Sequence, residues 1–531
     1  MVKPVTAWSP LRIRAFRGLW LAWLTANTCM WMCDVAAAWL MTTLSNQPVL
    51  VTLVQTASTL PVFLLALPAG AMADIVDRRR WFLGAQLLLA TTAMLLALAA
   101  FAGVLTAPVL LALVFANGIG MAMRFPVFVA IVPEVVPPRE MPQAIALHAM
   151  AMNGSRIIAP LLAGTLLAAF GSTSVFLCAA VLAFGGSVFI LRWRYSPLVS
   201  ALPAERLMGA MRVGAQFVAQ SPALRLAILR ICLINVQLIA PVALLPLLAK
   251  SLDGGAGTYT MLLACLGIGA IVVGWWLPRL RERFDAPALI NIGSSAHAVS
   301  LAIAALAPNV WVAAAALLAA GGAWIAVTNS LNVSAQLCLP AWVRARGMSV
   351  FLMAAMGGSA VGAILWGVVA SAAGVRESLG LTALIGLTVV VALWRWRMAG
   401  PTADDLVPMQ FASAPTAEPV DPDAGPVFIS IEYLIDTEDS AVFAEVMAES
   451  RRARLQGGAL SWGLLRDTAE PRRYVEYFVD PNWLEYLRRL ERLTAADARL
   501  RERRIALHKG TEPPKVTRLV GQSVLRKANA I

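Results

Sequence analysis

Residues 70–80 read Gly70-Ala71-Met72-Ala73-Asp74-Ile75-Val76-Asp77-Arg78-Arg79-Arg80. Apolar text flanks this segment on both sides, over 49–73 and over 81–103. Each flank exceeds the ~20 residues that an α-helix needs to cross a bilayer. Two such runs joined by a short, charge-dense turn read as a membrane hairpin with its basic loop in water.

The same alternation fills most of the chain. Breaks at Pro, Gly and charge clusters delimit twelve spans: 18–43, 49–73, 81–103, 107–132, 142–170, 173–193, 224–249, 258–278, 286–307, 309–333, 347–373 and 377–398. The runs are too long and too uniformly apolar for a closed barrel, whose strands alternate. Charge is unevenly spread. Residues 1–398 hold 25 Lys/Arg and 10 Asp/Glu, whereas 424–531 hold 18 and 15. A long membrane region therefore precedes a small water-soluble domain. The net charge of +13 does not point to nucleic acid, because membrane proteins acquire basic loops for topological reasons.

Those loops set the orientation. Connections on the N-terminal side carry Arg78–Arg80, Arg139, Arg192, Arg194, Arg206, Arg212, Arg279, Arg281, Arg283, Arg344 and Arg346; the opposite connections carry Lys250 and Arg376. The positive-inside rule places both termini in the cytoplasm of a multi-pass plasma-membrane protein. The basic N-terminus (Lys3, Arg12, Arg14, Arg17) leads into a retained first span.

The two halves repeat. Gly70 and Gly274 end spans two and eight, and Ala116-Asn117-Gly118 in span four matches Ala320-Gly321-Gly322 in span ten, both 204 residues apart. Ala159, Gly164 and Gly171 match Gly362, Gly367 and Gly374 at an offset of 203. Three ordered landmarks at one offset indicate duplication of a six-span unit. Parallel halves of this kind, with substrate bound between them near the midplane, are one transporter architecture.

The segment 70–80 resembles motif A of the major facilitator superfamily, GxxxD(R/K)xG(R/K)(R/K). Gly70, Asp74, Arg78 and Arg79 match, Ile75 replaces the first base, and Asp77 replaces the loop glycine. Asn117-Gly118-Ile119-Gly120-Met121-Ala122 resembles the tail of the span-four motif RxxQGxGxA, with Val114 at the arginine position. Ala159-Pro160-Leu161-Leu162-Ala163-Gly164 is similar to a weakened antiporter motif GPxxGG. Residues 8–398 resemble the enterobactin-exporter-like branch. The resemblance implies two six-helix bundles, 1–193 and 224–398, joined by a cytoplasmic loop over 194–223. It also implies a cytoplasmic gate formed by Gly70, Asp74, Asp77, Arg78 and Arg79 with Glu134, the arginines pairing with acids across the mouth.

Three formal charges lie deep in the spans: Asp34, Arg124 and Arg156. Each costs roughly 2.5–3.5 kcal/mol to insert, so such groups face a cavity or a partner. At about 1.5 Å per residue, Asp34 and Arg156 lie about 24 and 21 Å above the cytoplasmic helix ends, and Arg124 about 12 Å. Asp34 and Arg156 are expected to form the proton-coupling pair. A structural ion pair is the alternative. Arg124 is expected lower in the substrate cavity, with Asn27, Asn235, Gln237 and Asn329 adding hydrogen bonds; Pro160 and Gly164 mark the span-five motif.

Within 194–223, Leu207, Met211, Phe217 and Val218 share one helical face, which predicts an interfacial amphipathic helix, with a solvated linker as the alternative. Residues 399–425 read as a linker. Beyond it, strands at 427–435, 459–466 and 473–479 and helices at 438–455 and 482–507 give a βαββα order, closed by a strand near 515–525. This predicts a cytoplasmic α+β domain of ferredoxin type over 426–531. It resembles dimeric α/β barrel domains, which implies a homodimer through the tail.

The fold class expected is thus an all-α polytopic protein with this α+β tail. Cys29, Cys33, Cys178, Cys232, Cys265 and Cys338 lie in apolar runs, and His148, His297 and His508 are far apart, so no metal or cofactor is expected. No Walker loop appears. The expected function is secondary active transport, a proton-coupled efflux of a drug- or siderophore-like molecule. The alternative is a membrane-anchored enzyme or sensor whose activity resides in the oxygenase-like tail.

Overall fold

The computed structural model describes residues 8–193, 207–340, 342–394, 403–409, 416 and 418–522. The helices are α1 (Arg14–Leu44), α2 (Pro48–Ile75), α3 (Arg78–Phe101), α4 (Ala107–Val135), α5 (Met141–Arg192), α6 (Leu207–Gln220), α7 (Pro222–Leu238), α8 (Ala240–Ser251), α9 (Ala256–Arg283), α10 (Ala286–Ala305), α11 (Val310–Leu337), α12 (Arg344–Ala373) and α13 (Val375–Leu393). Ten described helical stretches are long and apolar enough to cross a membrane.

The two further expected spans correspond to α1 and to the second part of α5. α1 adds one, with 31 residues. α5 supplies two: at 52 residues it would run about 78 Å if straight, more than twice a bilayer core. It breaks at Gly171, whose φ of 78° and ψ of −179° suit a residue without Cβ. Ser174 Oγ donates to Gly171 O at 2.7 Å and helps fix the break. α7 and α8 together make one span, interrupted around Ile239 before Pro241.

The repeat landmarks mark close helix crossings. A Cβ on Gly118 would lie 2.6 Å from Ser58 O, between α4 and α2, and one on Gly322 would lie 3.2 Å from Gly269 O, between α11 and α9. Without side chains at these points the backbones approach closely, as membrane helices need for packing.

The described chain divides into two compact units. The first draws on Met1–Glu205, Ala227–Ser334 and Ser349–Met398; the second on Arg206–Leu226, Ala335–Met348 and Ala399–Ile531. The tail thus shares its unit with α6 and with the connection between α11 and α12. Gln216 Nε2 donates to Ala459 O at 3.2 Å and Gln456 Nε2 to Gln220 O at 3.1 Å. Arg492 stacks over Trp342 at 4.9 Å, and Trp342 meets Phe217 edge-on at 5.8 Å. The expected amphipathic helix is α6, which buries Val213 and Phe217. Residues 194–206 of that loop lie outside the described residues. In the segment expected as linker, Val407 and Met409 hydrogen-bond along Leu493–Ala495.

The tail contains β1 (Val427–Leu434), α14 (Ser440–Gln456), β2 (Ser461–Arg466), β3 (Arg473–Asp480), α15 (Trp483–Glu491), α16 (Ala495–Ala506) and β4 (Lys515–Val520). Its antiparallel sheet has the order β2-β3-β1-β4, the ferredoxin-like arrangement. The helix expected over 482–507 is two helices. Thr494 and Asp497 form a reciprocal capping box that starts α16 afresh, a local device that competes with helix continuation.

An ionic cluster lies in the tail's interior. Glu476, fully buried, accepts from Ser450 Oγ (2.8 Å), Arg504 Nη1 (2.9 Å), Trp462 Nε1 (3.0 Å) and Arg454 Nε (3.3 Å). Burial alone would raise its pKa, but Arg454 and Arg504 with these hydrogen bonds hold it at about 2. Because the folded value is depressed, the stabilisation is complete above the ordinary carboxyl range near 4.3 and is lost as pH falls towards 2. Hydrogen exchange at β1 and β3 of the full chain should accelerate in that window. Glu476→Gln, which leaves the buried Arg504 and the part-buried Arg454 without their carboxylate, should cost about 3–5 kcal/mol and flatten the acid dependence. Unchanged exchange in the variant would contradict this.

Candidate transport site

The basic loop at the start of α3 is built by local chemistry. Asp77, which stands where the motif has glycine, caps the helix by accepting from Arg80 N at 2.9 Å, as carboxylates at N-caps do. Arg78 pairs with Glu134 at the end of α4, Nη1 to Oε1 2.5 Å. Arg79 donates to Ile190 O at 3.3 Å and Leu191 O at 2.6 Å, satisfying terminal carbonyls of α5 where the dipole favours a cation. The Arg78–Glu134 pair joins two members of the expected gate, and the contacts named here lie inside the first six spans. The side chain of Asp74 and the surroundings of Gly70 lie outside what is described.

The deep charges are arranged differently from the expected pair. Ser58 Oγ on α2 lies 3.1 Å from both carboxylate oxygens of Asp34. Arg156 stands against indoles, its Cζ 5.3 Å from the Trp31 ring and 6.0 Å from the Trp324 ring. Asp34 and Arg156 therefore form no ion pair in this conformation. Each of the two side chains meets partners of its own. Both side chains are partly exposed despite their position mid-helix. Arg124 is 1 % exposed and lies over Trp23 at 5.0 Å. Trp23, Phe128 and His148 stack beneath it with centroids 4.4–4.9 Å apart.

The expected cavity amides divide into two kinds. Asn27 and Asn235 each donate Nδ2 to the carbonyl one turn earlier, Trp23 O and Ile231 O, at 2.8 Å. Asn235 also accepts from Ser359 Oγ at 3.3 Å. Asn329 accepts from Arg281 Nη2 at 3.2 Å near the basic face. Gln237 is buried with Nε2 unpartnered, and lines a small cavity with Arg230, Asn291 and Ser294 between α7, α10 and α13. Sequence reasoning missed Arg230, which is 1 % exposed and donates to Leu393 O. Its only sequence signal is a base among apolar neighbours early in span seven. His297, fully buried with both ring nitrogens lacking hydrogen-bond partners, was also unassigned. Among the described residues no cluster of His, Cys, Asp or Glu is placed to hold a metal ion.

The two halves meet along a seam opposite the basic face. Gly164 packs on Thr260 and Gly367 on Thr52, so that each half offers a glycine to a threonine of the other. Thr56 Oγ1 donates to Ala360 O at 3.2 Å, Val49 N to Ser371 Oγ at 3.1 Å, and Lys250 Nζ to Thr42 O. Trp39 and Tyr259 stack at 5.7 Å. Pro160, one helical turn before Gly164, is buried within α5. This arrangement draws two helical halves together at one end, as one state of an alternating-access cycle requires.

Comparison with known proteins agrees with that geometry. A family model described as "Transmembrane secretion effector", of the major facilitator type, matches residues 5–525. The Staphyloferrin A transporter of Staphylococcus aureus (strain NCTC 8325 / PS 47) is 29% identical over 161 residues, covering 29% of this chain and 39% of that protein. The match thus spans well under half of the relative's length. Among solved structures, a bacterial homologue of the human lysosomal transporter Spinster, inward-facing and unoccupied, has a TM-score of 0.58 at 16% identity, covering 72% of this chain and 96% of its own. A POT family transporter in complex with a thioalcohol-conjugated peptide gives 0.60 at 12%, covering 72% and 95%. These likenesses concern the fold.

Proposed function

The chain belongs to the transmembrane secretion effector family of major facilitator transporters, and from that premise we propose that it exports an organic small molecule in exchange for protons. The chain is a multi-pass membrane transporter; the proposal adds direction, coupling ion and cargo. The plasma membrane is its proposed site, with both termini in the cytoplasm, as the basic loops favour. The cargo is drug- or siderophore-like, a reading supported by the partial likeness to a staphyloferrin transporter.

The observation that carries the coupling is Asp34. It is a carboxylate deep in a span, partly exposed, and held by the neutral hydroxyl of Ser58. Such a group takes up and releases a proton as the open space around it changes sides. Arg156 is assigned as its partner in another state of the cycle. Asp74, Arg78, Arg79 and Glu134, with Gly70 and Asp77, form the proposed cytoplasmic gate, and Pro160 with Gly164 shapes the seam. Arg124, Asn27, Asn235, Gln237 and Asn329 are proposed for the cavity wall. The tail is read as a docked module, a homodimer contact among its proposed roles. Its buried ionisable groups are spent on one another, which favours this over an enzyme.

The test is efflux from proteoliposomes loaded with a fluorescent drug panel or an iron-free siderophore. Imposing a pH gradient should drive net transport, and a protonophore should abolish it. Transport at the same rate with and without the gradient would reject proton coupling.

A further inference from the structure

Arg156 has a second property that proton coupling does not use. Its guanidinium stands where the halves meet: Trp31 comes from α1 and Trp324 from α11, 5.3 and 6.0 Å from its Cζ. At about 22 Å along α5 from Met141, it lies near mid-membrane, where such transporters bind their cargo. The charge is not matched by a carboxylate: Asp34 is turned to Ser58, and Arg156 Nε is buried with no partner. Indole faces attract a cation through the ring quadrupole, but a cation–π contact occupies no N–H donor. The donors that make arginine a fork for a planar oxyanion stay free for a ligand.

We propose that Arg156, held between Trp31 and Trp324, is the binding point for a carboxylate on the cargo, with the two indoles stacking its flat apolar body. The site takes a monoanion. Arg124, the other deep arginine of the first half, is 1 % exposed and lies nearer the basic face, so a single guanidinium faces a single charge. Because Trp31 and Trp324 belong to different halves, a bound cargo bridges them. The inference rests on the transport reading for its biological meaning but not for its test.

Equilibrium binding to the purified full-length protein in detergent separates the two. The probes are benzoate, indole-3-acetate and naphthoate, each paired with its neutral amide. The wild type should prefer acid over amide about tenfold, the scale of one charge-assisted hydrogen-bond pair. Arg156→Gln should erase the preference and Arg156→Lys should retain part of it. Trp31→Ala and Trp324→Ala should weaken acid and amide alike. Wild-type indifference between acids and amides across the panel would overturn the proposal, as would Arg156→Gln keeping the preference while remaining monodisperse. Acid preference without pH-driven transport would sink the transport reading and leave this site standing. Transport with an unaltered Arg156→Gln preference would do the reverse.

Discussion

Asp34→Asn should reduce pH-driven accumulation to nothing while leaving the protein folded and able to exchange cargo. The amide has the shape of the acid and still accepts from Ser58, whose hydroxyl now reaches both carboxylate oxygens at 3.1 Å. What it loses is the proton. For one proton exchanged per cargo molecule, a gradient of one pH unit supports an accumulation of up to about tenfold. The variant should sit at the unenergised ratio at every imposed gradient. Counterflow of labelled against unlabelled cargo should persist, because exchange needs alternation of the halves but no net proton movement. Proteoliposomes with inside and outside pH set independently measure both quantities. A full gradient in Asp34→Asn would reduce Asp34 to a structural role.

The second large effect is expected at the seam. Gly164→Val and Gly367→Val should each hold the halves apart at the end opposite the basic face. A Cβ on Gly164 would lie 2.5 Å from Thr260 Cβ, and one on Gly367 would land on Thr52 Oγ1. Overpacking of this kind costs about 1–3 kcal/mol. That biases the equilibrium between the two access states about 5- to 150-fold, so transport should fall by a similar factor. Cysteines at Thr42 and Lys250, whose side chain and backbone meet across the seam, give a direct readout. Their cross-linking should drop in the valine variants and recover when Thr52→Ala accompanies Gly367→Val. Undiminished cross-linking with lost transport would show that these glycines serve something other than closure.

The pairing of these two positions explains why the repeat was legible at all. Gly164 and Gly367 were visible as landmarks because a duplicated architecture keeps small residues wherever its backbones cross. The motif loop was equally legible, but its departure at Asp77 was not explained until the carboxylate was found capping α3. Asn27 and Asn235 read as cavity amides, yet each is satisfied by its own helix. No periodicity distinguishes the two uses of an asparagine.

The sequence by itself determined which runs are long and apolar enough to cross a membrane, where charged segments interrupt them, that landmarks recur at one offset, and that an α+β tail follows. Each of these depends on short-range facts: apolar runs of membrane length have one low-energy fate, and charges mark where they end. Tertiary structure alone decided which partner each deep group meets. Asp34 turned to Ser58 rather than to Arg156, and Arg156 found Trp324, a residue of the other half. Arg230 was enclosed by α13, and the tail joined α6 and the 335–348 connection in one unit. Such pairings depend on helix azimuth, which turns by about 100° per residue. An uncertainty of one or two residues in a helix boundary leaves depth nearly intact but redirects the side chain to a different neighbour.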